Sequence, residues 1–460
     1  MNEQMVKEQL YQRYIEPTKR QRENYIGIEI EIPIVNLKKE AVDFAVVHGV
    51  TAKFMERFGF HPAGLDDEGN IYSAVESVTG DILSYDCSYN NLELSLGKEK
   101  DLNTIYERFT GYYTFLWEKF GEYGHTLTGF GVNPYRRYNH NVPIPSERYR
   151  MLLHHLRSYK NYKLPMYFHQ YPEYGTFSSA SQVQLDVFYD ELLETLETFG
   201  KVEPVKALLF SNSVLLGENE ELLCCRDMFW ENSTHGINPH NIGMFDCRLE
   251  SMEDLEAYIA SASIYCVERD GKYIHFAPIP IKEYLRTPVV TGEWYDSGVY
   301  QKTQVQPRMD DIRFLRTFKF EDLTFRGTVE FRSVCCQPIK DCMTVAAFHV
   351  GLKENLHSLT NLLHEDHVLY HQGYTATELR KMFVKSELPG FVDADALYDL
   401  VRSVVDIASE GLKKRGFGEE GMLKPLYDRI EERENPAQRM LRLRREGMDL
   451  RDIILEYGKL

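Results

Sequence analysis

The sequence has no apolar run approaching the roughly 18 to 20 residues that a membrane-spanning helix needs. Its eight cysteines include no C-x-x-C pair and no zinc-type spacing, which argues against a dithiol redox motif and a zinc finger. Cys224–Cys225 and Cys335–Cys336 are adjacent pairs, and Cys87, Cys247, Cys266 and Cys342 are scattered. In 460 residues, enough for a large core, they read as small buried hydrophobes and not as a disulfide framework. A Walker A loop is absent, and Gly129-Phe-Gly131 lacks the third glycine of a dinucleotide fingerprint, so a nucleotide must be held by another device. Basic residues are also in deficit: 53 Lys plus Arg stand against 70 Asp plus Glu, a formal charge of −17. That balance argues against nucleic acid and anionic membranes as partners. It does not exclude anionic small molecules, because metal ions or a few arginines can reverse the sign of one cleft.

Gly/Ser linkers, Pro-rich stretches, internal repeats and low-complexity tracts are missing too, so residues 1–460 are expected to form a single domain. Met1 to Arg22 has the pattern of an amphipathic helix without the apolar core of a signal peptide, and the expected location is the cytoplasm. From about residue 345 the pattern is helical almost to the end. His357, His364, His367 and His371 fall on one stripe there and are expected to meet solvent. Arg439, Arg442, Arg444 and Arg445 read as a solvated or oligomer-contact face, although nothing in the sequence sets an oligomeric state.

Before residue 345, short strands and hairpins alternate with helices at 41–58, 102–120 and 188–212. The mixture predicts an α+β fold and not a doubly wound parallel one. Four strand-like segments share a pattern. In Tyr25 to Pro33, isoleucines 26, 28, 30 and 32 occupy one face and Glu29 and Glu31 the other. Leu92 to Leu96 carries Glu93 opposite its leucines. Gln182 to Val187 sets Gln182, Gln184 and Asp186 against Val183, Leu185 and Val187, and Thr328 to Val334 sets Glu330 and Arg332 against Val329, Phe331 and Ser333. A polar face of a half-buried strand usually just meets water. Here the polar faces are acidic or amide, with almost no Lys or Thr. Glu29 and Glu31, about 7 Å apart along one strand, suit two carboxylates bracketing hard cations. Glu93, Gln182, Gln184 and Glu330 offer further oxygen ligands, and Arg332 offers a planar donor fork for phosphate or carboxylate. Arg136–Arg137, after Gly131, are a further candidate contact for phosphate groups.

Over residues 20 to 345 the chain resembles the glutamate–cysteine ligase family, in its plant-type branch that also occurs in bacteria. Ile26-Gly-Ile-Glu-Ile-Glu31 is similar to the family's first-strand metal motif, and Phe54-Met-Glu-Arg-Phe-Gly59 to the helix end after it. Asn91-Leu-Glu-Leu-Ser95, Gly131-Val-Asn-Pro134 with Pro145 and Arg148-Tyr149, Ser181-Gln-Val-Gln-Leu-Asp186, Phe210-Ser-Asn-Ser213, Cys225-Arg-Asp-Met-Phe-Trp230 and Val329-Glu-Phe-Arg332 follow in the family's order. The resemblance implies a glutamine synthetase-like fold, a curved, mostly antiparallel sheet shaped as a bowl with helices outside. It implies ATP-dependent joining of the γ-carboxyl of L-glutamate to the amine of L-cysteine through a γ-glutamyl phosphate, with two or three Mg²⁺ ions. Glu29, Glu31, Glu93, Gln182 and Glu330 are then the metal ligands, and Gln182, Gln184, Arg332 and Arg136 the ATP contacts. Arg332 and Glu330 are catalytic, and Arg226, Arg148 and Tyr149 bind substrate.

Two departures stand out. Where the family has a glutamate followed by Pro-Gly-Gly, this chain reads Tyr85-Asp-Cys-Ser-Tyr-Asn90, so Asp86 replaces that carboxylate only if the loop shifts by about one residue. Where the family has an acid two or three residues after the late arginine, Cys335 stands, followed by Cys336. Both bear on the amine substrate, which leaves open a different amine acceptor. A phosphotransferase of the related guanidino-kinase type and a ligand-binding homologue without activity are also left open.

Overall fold

The computed structural model describes residues 3–245 and 247–460. Met1 and Asn2 of the expected N-terminal helix lie outside the described residues. From Glu3 that segment is helical, as an α-helix Glu3–Leu10 followed by a wider turn Tyr11–Ile15 and a tighter one Glu16–Lys19.

In chain order the strands are β1 (Ile26–Asn36), β2 (His61–Leu65), β3 (Ile71–Val75), β4 (Ile82–Tyr85), β5 (Asn91–Glu99), β6 (His125–Leu127), β7 (Ser181–Asp186), β8 (Ile242–Gly243), β9 (Ser263–Arg269), β10 (Lys272–Pro280), β11 (Val290–Asp296), β12 (Val299–Val305), β13 (Phe318–Lys319), β14 (Glu321–Leu323) and β15 (Thr328–Phe331). The main sheet is open, with order β14-β15-β7-β1-β5-β4-β3-β2 and β6 paired to the far end of β1. All its pairings are antiparallel. A second antiparallel sheet, β12-β11-β10-β9, stands beside it, and β13 and β8 form a short parallel pair. The architecture is thus the mixed helix and antiparallel-sheet arrangement expected.

One face of the main sheet is the core. Ile26, Ile28, Ile30, Ile32 and Ile34 of β1 are all but inaccessible, as are Leu92, Leu94 and Leu96 of β5 and Val183 and Leu185 of β7. Each such side chain contributes about 1.5–3 kcal/mol relative to exposure. The helices Phe44–Phe58 and Leu102–Gly121 cover this face. Asp43 caps the first through Ala45 N (2.9 Å), and Gly59, at φ 73°, ends it. Asp101 caps the second through Thr104 N (2.8 Å). Edge-to-face rings of Phe54, Phe58, Tyr112 and Phe115 join the two. The helix Cys342–Glu354 packs on β7, backed by the helix Ala394–Arg415. These two cross backbone to backbone at Gly351 and Gly411, where a Cβ on either glycine would lie about 2 Å from a carbonyl oxygen of the other helix. The remaining chain to Tyr457 is helical, and His357, His364, His367 and His371 are exposed.

Beneath the end of β15 lies a charge network that is almost wholly buried. Lys206, on the helix Leu192–Phe210, pairs with Glu203, and Arg380 binds Glu203 Oε2 at 2.7 Å and Asp227 Oδ2 at 2.8 Å. Ser333, just past β15, donates to Glu203 at 3.0 Å. Burial pushes the Glu203 carboxyl up, but Lys206 and Arg380 outweigh it and bring it down to about 2. Burial and neighbouring Glu203 hold Glu321 well above the carboxylate range. Removing one partner strands a buried charge, so Arg380→Met is expected to cost about 3–5 kcal/mol in urea unfolding at pH 7. A carboxylate with a depressed folded pKa stabilises above its unfolded value, about 4.3, and loses that contribution as pH falls through the folded value. The gap between Arg380→Met and the wild type should therefore narrow between about pH 4 and pH 2. An equal gap throughout that range contradicts the pairing.

Candidate active site

The other face of the main sheet is polar and floors a cavity of about 810 Å³. Strand register brings the four acid- or amide-bearing segments together there. Glu29 lies opposite Gln182 on one side and Ser95 on the other, and Glu31 lies opposite Glu93. Gln184 lies opposite Glu330, which lies opposite Asp322 of β14. On β1 the position opposite Gln184 is Gly27.

The two glutamines stitch the acids together. Gln184 Nε2 donates to Glu29 Oε1 (3.2 Å) and Glu330 Oε1 (2.9 Å), while its Oε1 accepts from Arg326 (2.7 Å). Gln182 Nε2 donates to Glu31 Oε1 at 3.0 Å. Ala180 N donates to Glu31 Oε2 at 2.7 Å, and Ser84 and Ser95 both donate to Glu93 Oε1. Arg332 NH1 donates to Glu330 Oε2 at 2.6 Å.

Electrostatically the floor is over-supplied with negative charge. Burial raises Glu29 well above the carboxylate range, reinforced by Glu93 and Glu330. Burial, then Asp86, pushes Glu31 up to about 8 and Glu93 to about 7. Burial likewise raises Asp86 and brings Asp322 to about 6. Burial works against the Arg332 charge, but Glu330, Asp322 and Glu29 outweigh it and hold the guanidinium firmly protonated. These acids are set to exchange protons for cations. The donor set is all oxygen, as Mg²⁺ prefers. Gln182 Oε1 is buried, lacks a hydrogen-bond partner and belongs to a side chain on the cavity floor, where it can serve as an additional ligand. Glu29, Glu31, Glu93, Glu330 and Gln182 therefore fit a magnesium site.

The expected rim residues fare differently. Arg148 is exposed to the cavity, its guanidinium 5.5 Å from the Tyr149 ring centre; Tyr149 is buried and donates to Tyr85 O. Arg226 lines the cavity but directs NH1 and NH2 to the carbonyls of Ser333, Val334 and Arg332, so it fastens the chain after β15. Arg136 does not line the cavity: both it and Arg137 pair with Glu218, while its guanidinium sits over Tyr171 and Phe177. That carboxylate, from a loop over 80 residues away, captures it.

Of the departures, Asp86 does reach the cavity, beside Glu31 and Glu93, on a turn in which Cys87 takes a left-handed conformation (φ 60°). Cys335 and Cys336 are buried and do not line it; Cys335 Sγ is 3.6 Å from Cys224 Sγ. Residues missed from sequence are Asp322, Arg326 and Arg316, all on the cavity wall. The first two sit in or beside a three-residue strand, too short to show a period.

No protein-family model matches the chain. Sequence comparison finds chloroplastic glutamate–cysteine ligase from Solanum lycopersicum, 24% identical over 314 residues, which are 66% of this chain and 54% of that protein. Chloroplastic glutamate–cysteine ligase A from Oryza sativa subsp. indica is 23% identical over 337 residues, 70% of this chain and 62% of the relative. These sequence relatives are glutamate–cysteine ligases. The chain thus spans between 54% and 62% of the length of these two. Among solved structures, glutamate–cysteine ligase from Francisella tularensis in complex with AMP shares the fold, with a TM-score of 0.51 and 12% identity, over 96% of this chain and 88% of that one.

Proposed function

We propose that this protein joins the γ-carboxyl of L-glutamate to an amine, L-cysteine in the first instance, with conversion of ATP to ADP and phosphate. This is the first step of glutathione-type thiol synthesis. The observation that carries the reading is the convergence of Glu29, Glu31, Glu93, Glu330, Gln182 and Arg332 on one face of an open antiparallel sheet. The likeness to glutamate–cysteine ligases supports it.

The chemistry brings two anions into contact, the γ-carboxylate and the triphosphate. Mg²⁺ held by Glu29, Glu31, Glu93, Glu330 and Gln182 would supply charge neutralisation and alignment of phosphate oxygens. A γ-carboxylate oxygen attacks the terminal phosphorus, ADP leaves, and a γ-glutamyl phosphate forms. The amine nitrogen then attacks the acyl carbon, phosphate leaves, and the nitrogen gives up its proton. Arg332, held charged and oriented by Glu330, faces the transferring phosphoryl group. Gln182 and Gln184 keep the acids apart and aimed. Arg148 is the cavity cation placed to meet a substrate carboxylate. The whole chain acts as one catalytic unit, with its helical portion from 345 backing the sheet.

The test is mass spectrometry of products formed from ATP, Mg²⁺, L-glutamate and a panel of amino acids and amines. A γ-glutamyl amide in equal amount to ADP, highest with L-cysteine, is the expected result. A phosphorylated product without an amide moves the protein to the phosphotransferases. No ADP with any amine rejects both.

A further inference from the structure

Three metal-ligating side chains converge outside the cavity, behind the helix Glu147–Arg157. His154 on that helix places Nε2 2.9 Å from Glu293 Oε2. Glu293 on β11 lies directly opposite His275 on β10. One ligand-type atom from each residue lies within 4.8 Å of those from the other two, and among the described residues this is the one such triple of His, Cys, Asp or Glu. None of the three lines the catalytic cavity.

The surroundings fix the rings. His154 stacks on Tyr300 of β12, centroids 3.6 Å apart and planes within 12°, and Tyr300 in turn donates to Arg150 O at 3.0 Å. His275 is buried and shares a 3.0 Å hydrogen bond through Nε2 with His155 Nδ1. His155 is fully buried, stacked on Tyr265, and its Nε2 has no partner. An imidazole whose other nitrogen is engaged and whose plane is fixed is the usual arrangement around a metal-bound histidine. A surface His–Glu ion pair accounts for His154 and Glu293, but not for a third, buried imidazole turned to the same point. The side chains of His154 and Glu293 remain 25% and 40% exposed, which leaves an entry path and room for a water.

Two nitrogens and one carboxylate oxygen suit zinc, not magnesium: zinc is bound at about 2.0–2.2 Å by three protein ligands and one open position. We propose that His154, His275 and Glu293 form a zinc-class divalent site that fastens the helix Glu147–Arg157 to β10 and β11. The same helix carries Arg148, Tyr149, Met151 and Leu152 into the catalytic cavity, so the ion would hold that wall in place. The proposal does not depend on the ligase reading.

The test uses the full chain, stripped of metal and titrated with Zn²⁺ against a chromophoric chelator in excess Mg²⁺, which occupies the all-oxygen floor. The expected result is one Zn²⁺ per chain that Mg²⁺ does not displace, with two imidazole nitrogens in its X-ray absorption spectrum. Glu293→Gln and His154→Ala should each weaken Zn²⁺ binding by about tenfold or more. Circular dichroism checks that both variants are folded. No Mg²⁺-resistant Zn²⁺ in the wild type, a spectrum without imidazole, or unchanged affinity in either folded variant overturns the site.

Discussion

Replacing Glu29 by glutamine is expected to lower glutamate- and Mg²⁺-dependent ADP formation by about a thousandfold, equivalent to about 4 kcal/mol of transition-state stabilisation. Glu29 stands at the middle of the floor, accepting from Gln184 and facing the fields of Glu93, Glu330 and Glu31. The amide has the same shape but cannot neutralise a cation. It also removes one member of a mutually repelling set, so in Mg²⁺-free buffer the variant should melt no lower than the wild type. That second measurement separates loss of metal binding from loss of fold. Full activity in the variant would remove Glu29 from the metal site.

The second large effect concerns Arg332. Arg332→Lys keeps the charge but loses the planar fork, and a phosphoryl-facing arginine is worth about 10³–10⁵ in turnover. The lysine should reach Glu330 yet leave the transferring oxygens without paired donors. A fall in kcat of about a thousandfold is expected, with KM for glutamate changed little. Arg332 has its guanidinium 5.9 Å from the Phe318 ring centre and its backbone N bonded to Phe320 O. The backbone bond survives substitution, and the melting temperature should stay within a few degrees. An unaltered kcat would assign Arg332 to structure alone.

The floor was legible because β1, β5, β7 and β15 are half-buried strands whose two faces differ in chemistry, and a period of two shows in five or six residues. Glu29, Glu31, Glu93, Gln182, Gln184 and Glu330 follow from that period alone. Strand order does not, since paired residues lie up to 159 positions apart, as Ile26 and Leu185 do. Asp322 and Arg326 were hidden because β14 has three residues and its turn none of the hairpin dipeptides. β11 and β12 were missed because neither alternates cleanly: β11 mixes Val, Trp and Tyr with polar residues and is mostly half-buried, and β12 is largely polar and exposed. Glu203, Lys206 and Arg380 look like ordinary surface charges until tertiary contacts bury them. Arg136 shows the converse: no local pattern reveals that Glu218 holds its side chain outside the cavity. His154 and His155, adjacent in sequence, turn to different partners, which no local pattern reveals.

In β1 the acidic floor and the hydrophobic core share one backbone, back to back, at alternate positions. Substitution and insertion therefore have different consequences there. A substitution on the polar face alters chemistry and spares the core. One inserted or deleted residue between Ile28 and Ile32 turns carboxylates into the core and isoleucines into the cavity over the rest of the strand. Point changes in this segment can retune the site, whereas changes of length cost the chain its fold.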